Sequence, residues 1–313
     1  MMNKILVATR TDRVRPERKK GDGIMTKKMY VLLGLVCAAV AGSVANAADG
    51  KACNFGAKGD GTTTACAEIC RPSAAPVGTL VLSFDDRNFA DWEKALPLLD
   101  KYNAHVTFFV NGAMDDDTVQ KLKKFRAHGH SIGLHGLRHA NADMAIAQKG
   151  AERYFADDIV PQLDCLRVAG VPVTSFAYPN CRFTDESDAL FKAKGFAHVR
   201  GGHKGVAPYD PKGEKQEGLK PIHTVDRAFF PVAEIGARFR LDTVIAGESY
   251  HTDIEDILQC IRRCAARKEV FVLTSHGIRP GAKGISMKTE WLERILATAK
   301  ECGVAMVGFD ELP

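Results

Sequence analysis

From residue 79 onward, short apolar runs alternate with longer stretches of helical periodicity, and no other feature narrows the fold as much. Strands are expected at 79–84, 104–110, 131–134, 173–177, 196–199, 270–274 and 304–309. Helices are expected at 89–102, 116–128, 143–169, 184–194, 253–267 and 288–301, and Gly129, Gly170, Gly195 and Gly303 stand where helices should stop. Runs such as Val-Phe-Val-Leu-Thr at 270–274 are apolar on both faces, which calls for a parallel sheet covered by helices rather than a sandwich. About seven strands in one unit favour an α/β fold, a distorted (β/α) barrel, whose functional groups gather at the carboxyl ends of the strands.

What precedes the barrel has a different character. Residues 29–42 are uncharged and apolar, follow Lys27 and Lys28, and lead to Ala45-Asn46-Ala47, the pattern of a secretory signal peptide cut after Ala47. The run is short for a bilayer span; a retained anchor is the alternative. Met25 is the expected start, with residues 1–24 upstream of the translated chain, so 1–47 are leader and signal peptide. Residues 48–78, rich in Gly, Thr, Ala and Cys, read as an irregular, disulfide-tethered N-terminal extension, and 79–313 as the catalytic domain. Within the extension, the string from Asn54 to Thr62 resembles the opening of pectate-lyase-type β-helix proteins, but no solenoid repeat follows.

Removing the leader changes what the charge means. Residues 1–28 hold nine Lys and Arg against three acids, more than the whole chain's surplus of +5, so the remainder is slightly acidic and a nucleic-acid partner is not expected. Cys37 falls in the signal peptide. The other eight cysteines, an even number, suit an exported protein, periplasmic or extracellular, and the C-x3-C pairs 66/70 and 260/264 read as disulfide cysteines before metal ligands. No stable membrane insertion is expected after cleavage.

Two motifs carry the chemistry. The first strand ends Ser83-Phe84-Asp85-Asp86-Arg87, and adjacent carboxylates at a buried strand end repel unless something separates their roles; a metal does that. The alternative is that Asp85 or Asp86 caps the helix near Phe89. The third strand leads into His135-Gly136-Leu137-Arg138-His139, two imidazoles at a spacing that can hold one metal. A zincin would need Glu at Gly136, so the base must come from elsewhere, and Asp85 is the candidate.

Ser83 to Asp86 followed by His135-x3-His139 resembles the first two motifs of carbohydrate esterase family 4, the polysaccharide deacetylases. The stretch Ala104 to Val110 resembles the family's second strand, and Leu273-Thr274-Ser275-His276-Gly277 its last motif. The resemblance implies a divalent metal, usually Zn2+, on Asp86, His135 and His139, with Asp85 as base toward a metal-activated water and His276 as acid on the leaving group. It implies hydrolysis of acetyl groups from an N- or O-acetylated glycan.

The third motif departs from the family pattern. Members carry Arg-x-Pro-Tyr, whereas this chain has Ala177-Tyr178-Pro179-Asn180. The Asn180 main-chain N–H still suits an oxyanion. Replacement tethers for Asp85 are Arg87, Arg182 and Arg200, of which Arg87 and Arg200, with Tyr178, are also candidate substrate contacts. Asp226 is the candidate partner of His276. Phe183 and Tyr250 are further sugar-facing candidates, while Trp92 and Trp291 read as packing residues. Competing readings are an inactive carbohydrate-binding relative and a metal-dependent amidase on a small C–N substrate.

Overall fold

The computed structural model describes residues 77–202, 221–250 and 252–313. In chain order the elements are β1 (Thr79–Asp86), α1 (Phe89–Tyr102), β2 (Thr107–Val110), α2 (Asp116–Ala127), β3 (Ser131–Leu134), α3 (Ala142–Lys149), α4 (Ala151–Asp158), α5 (Val160–Val168), β4 (Ser175–Ala177), α6 (Asp185–Ala193), β5 (His198–Gly202), β6 (Phe229–Pro231), β7 (Arg240–Ile245), α7 (Ile254–Arg267), β8 (Glu269–Ser275), β9 (Ile278–Arg279), β10 (Met287–Lys288), α8 (Thr289–Glu301) and β11 (Ala305–Val307). The parallel strands β1, β2, β3, β4, β5, β7 and β8 follow one another, and β8 pairs back onto β1, closing a seven-stranded (β/α) barrel.

The distortion is at the base. β2 is short and pairs only with the last four residues of β1, so β11 takes the lower edge, Thr79 to Val81. On the other side β6 runs antiparallel along Glu269 to Phe271, below the point where β7 meets β8. Two expectations change accordingly. The strand foreseen at 304–309 lies outside the ring, and the ring's missing member is β7, whose Arg240 and Asp242 break the apolar run that would have marked it.

Side chains alternate along a barrel strand, so every second residue points inward. The inward residues change character with height. Val81, Phe109, Ala177, Leu241, Val270 and Val272 form one apolar cluster, joined by Phe309 from beyond β11, and Ser83, Asp85, Arg200 and Thr274 form a polar one joined by hydrogen bonds. The opposite faces of the same strands pack on the helices, where Trp92 is fully buried and stacks on Phe108 at 4.8 Å.

The helix expected at 143–169 is three. Gly150, at φ 81°, interrupts it, and Pro161 in the first turn of α5 lacks the N–H that a continuous helix would need. The break at 159 leaves Asp158 at the end of α4. Among the described residues no helix is long and apolar enough to cross a membrane. Residues 1–76, on which the expected signal peptide, most of the expected extension and Cys53, Cys66 and Cys70 fall, lie outside the described residues.

The disulfide expectation at 260/264 is corrected. Cys165, Cys181, Cys260, Cys264 and Cys302 are free. Cys260 and Cys264 are buried one turn apart on α7, where Cβ atoms sit about 5–6 Å from each other, beyond the reach of an S–S bridge.

Candidate active site

At the carboxyl end of β1 the chain places two consecutive carboxylates in different surroundings. Asp85 keeps the inward direction of Val81 and Ser83 and is 4 % exposed. Asp86 escapes alternation by turning left-handed, φ 79°, so its carboxylate reaches the same space from the rim. Neither caps α1, whose N-cap residue is Asn88.

The histidines arrive from the turn after β3. His135 is buried, and its Nδ1 lies 2.8 Å from the Ala177 carbonyl oxygen, which can only accept; the proton is therefore on Nδ1 and the Nε2 lone pair faces the site. His139, at φ 51°, turns its Nε2 to 3.1 Å from that of His135. Asp86 Oδ1 lies 3.9 Å from His135 Nε2 and 3.6 Å from His139 Nε2. Asn111, just past β2, donates to Asp86 Oδ1 at 2.8 Å and orients it. Two imidazole nitrogens and a carboxylate oxygen, all within 4.8 Å of one another, are a donor set that fits a zinc-like cation. His135 suits a ligand's role in its protonation as well: burial, opposed by Asp85 and reinforced by Arg200, lowers its pKa to about 4.

Asp85 is held by Arg200. Nη1 and Nη2 donate to the two carboxylate oxygens at 2.6 Å each, and Nη1 also reaches Ser83 Oγ and Thr274 Oγ1. Burial by itself pushes the Asp85 carboxyl up, but Arg200 and His135 outweigh it and hold the pKa at about 2. Arg200 on β5 is the direct register partner of Ala177 on β4. The guanidinium missing from position 177 is thus supplied one strand over, from the adjacent inward position. No local sequence pattern marks this substitution, because it is made across the sheet.

The remaining candidates divide. His276 follows β8, with Nε2 3.8 Å from Asp86 Oδ2 and Nδ1 3.2 Å from the Ile285 carbonyl; its own carbonyl accepts the Trp92 indole N–H at 2.8 Å. Trp92 thus packs, as expected, and also fixes the His276 backbone. Asn180 sits just beyond β4 in a left-handed conformation, φ 54°. Arg87 donates to the Asn111 and Ala113 carbonyls and to Thr118, so it staples the β2–α2 loop rather than facing substrate or Asp85. Arg182 pairs with Asp143. Tyr178 is fully buried and its hydroxyl donates to Asp188, which removes it from the substrate-facing set. Asp226 is exposed and pairs with Arg263 and Arg267, so it is not the partner of His276. Asn111 was missed by sequence reasoning; its place after β2, level with Asp86, was the available signal.

A family model for polysaccharide deacetylases matches residues 73–199. Over 91 residues the chain is 34 % identical to the uncharacterized protein YlxY of Bacillus subtilis, covering 29 % of this chain and 27 % of that one. Over 94 residues it is 34 % identical to a chitin deacetylase of Pestalotiopsis sp, covering 26 % and 32 %. The chain thus spans about a third or less of the length of these curated relatives. Among solved structures, the chitin deacetylase of Colletotrichum lindemuthianum shares the fold, with a TM-score of 0.50 at 16 % identity over 76 % of this chain and 88 % of that one. Residues 73–199 thus match the family model for polysaccharide deacetylases, and the barrel that they begin has the fold of a chitin deacetylase.

Proposed function

We propose that this protein is a metal-dependent hydrolase that removes acetyl groups from an N- or O-acetylated polysaccharide. The observation that carries the reading is the convergence of Asp86, His135 and His139 beside a carboxylate, Asp85, that is buried yet kept ionised by Arg200. A divalent cation, Zn2+ by its donor set, would polarise the acetyl carbonyl and make water acidic enough to lose a proton near neutral pH.

The protein's own groups supply the rest. Arg200 uses one lone pair on each Asp85 oxygen, leaving others free to accept a proton from the attacking water. His276 stands on the other side of Asp86, its Nε2 aimed inward, and as an imidazolium would protonate the departing amine or alkoxide. The Asn180 N–H, in the left-handed turn just after β4, would stabilise the oxyanion. Floor and rim differ as such a site requires: His135 and Asp85 side chains are 2 % and 5 % exposed, those of Asp86 and His139 32 % and 35 %. Residues 1–47 read as leader and signal peptide, 48–78 as the extension and 79–313 as the catalytic domain, and the apolar run at 29–42 before Ala45-Asn46-Ala47 supports an exported enzyme.

The test is acetate release from chitooligosaccharides, peptidoglycan and acetylxylan, with and without chelator. Chelator-sensitive release from one of them supports the reading and names the substrate. Zinc binding without release from any glycan would move the assignment to a small-amide hydrolase or an inactive binding protein.

A further inference from the structure

Asp158, the last residue of α4, lies against the histidine turn and is fully buried. Its main-chain oxygen accepts the Leu137 N–H at 2.9 Å, and its Oδ1 accepts the Arg138 N–H at 2.8 Å. One residue therefore fixes two consecutive amides between His135 and His139. Gly136 adapts to the same contact: its φ is +79°, and a Cβ there would meet Asp158 Oδ2 at 2.6 Å. Oδ2 has no hydrogen-bond partner among the described residues. A buried carboxylate left half-satisfied is unfavourable, and such groups are kept where they do something else. What Asp158 touches is the turn that ends in His139, a non-glycine residue in the left-handed region, which persists only when its surroundings enforce it.

We propose that Asp158 is a positioning residue for cation binding: by clamping the Leu137 and Arg138 amides it holds His139 in the conformation that brings its Nε2 to His135 and Asp86. The proposal rests on the reading of Asp86, His135 and His139 as a cation site. Asp158 does not reach the cation position; it acts through the turn. The sequence break that ends α4 at residue 158 is what delivers it there.

Zinc affinity of the purified protein, read by competition with a chromophoric chelator at neutral pH, tests this for wild type, Asp158→Ala, Asp158→Asn and His139→Ala. Asp158→Ala should weaken zinc binding about tenfold or more, in the range of lost outer-sphere partners. Asp158→Asn should stay within about threefold of wild type, because its amide oxygen still accepts the Arg138 N–H. Asp158→Ala binding as tightly as wild type overturns the proposal, and so does Asp158→Asn falling as far as Asp158→Ala. Wild type that binds no zinc sinks the cation-site reading and this proposal with it, a result distinguishable from either. Thermal melts of the metal-free variants report folding. Should Asp158→Ala not fold, Gly136→Ala presses on the same contact without removing a polar group; a folded Gly136→Ala variant with wild-type zinc affinity is equally contrary.

Discussion

The two sides of the barrel build the site by different means. On the β1–β3 side, all three converging donors come from strand ends and the turns directly after them, and two of those donors, Asp86 and His139, stand in left-handed backbone conformations. On the β4–β8 side, the contributions are single residues far apart in sequence, Arg200 from β5 and Thr274 and His276 from the end of β8, joined only by the closed sheet. The first side is specified by local turns and the second by register. A register-specified group can reach the same carboxylate from either of two paired strands, as the inward positions of Ala177 and Arg200 indicate. The family match itself ends at residue 199, one short of that arginine.

The sharpest break of this comparison is to remove groups from each side and compare losses. Asp85→Ala should lower acetate release by about a thousandfold, within the range for a general base, with zinc affinity little changed. Arg200→Ala should lower it by about a hundredfold and also destabilise the protein by about 3–5 kcal/mol in chemical denaturation, because Asp85 is left buried and unpaired. Adding Ala177→Arg to Arg200→Ala should restore part of both losses. If the double variant is no better than Arg200→Ala, the two inward positions are not interchangeable and the register argument fails.

A smaller effect separates the sides by pH. In the metal-free protein His135 is held neutral by burial, at about 4, and Asp85 is held ionised, at about 2. Both pKa values are below their ordinary ones, so both groups stabilise the fold at neutral pH. Stability should fall first between about pH 6.5 and 4 as the unfolded chain's histidine takes up a proton, and again from about pH 4 to 2 for Asp85. Denaturation midpoints across that range check the sequence, and Arg200→Ala should abolish the lower step while sparing the upper. The least effect is expected at Arg87 and Tyr178: Arg87→Ala and Tyr178→Phe should leave KM within about twofold and cost about 1 kcal/mol of stability each, since their hydrogen bonds are structural. A large rise in KM in either would return them to the substrate-facing set.

How much of this was legible in the sequence follows the same division. The barrel class, the carboxylate pair and the two histidines are written in short stretches whose period and spacing carry the information. Arg200 was visible only as one of three arginines, because what selects it is its pairing with Ala177 and its inward direction on β5. The substrate-facing reading of Tyr178 failed because a Tyr-Pro motif after a strand does not say which way the ring points; here it faces Phe176 and Phe191 in the helix-covered core. β7 escaped detection since alternating Arg240 and Asp242 resemble a surface segment, although Arg240 pairs with Asp188 and with Asp242. Asp158 was hidden inside what read as one long helix, and became visible only once Gly150 and Pro161 were seen to divide it.

The most direct test of the account is a crystal structure of the protein grown with zinc, with anomalous data at the zinc edge. The account predicts one strong peak within coordination distance of Asp86, His135 and His139, with Asp85 still paired to both Arg200 nitrogens. A peak elsewhere, or Asp85 released from Arg200 to become a ligand, would contradict it.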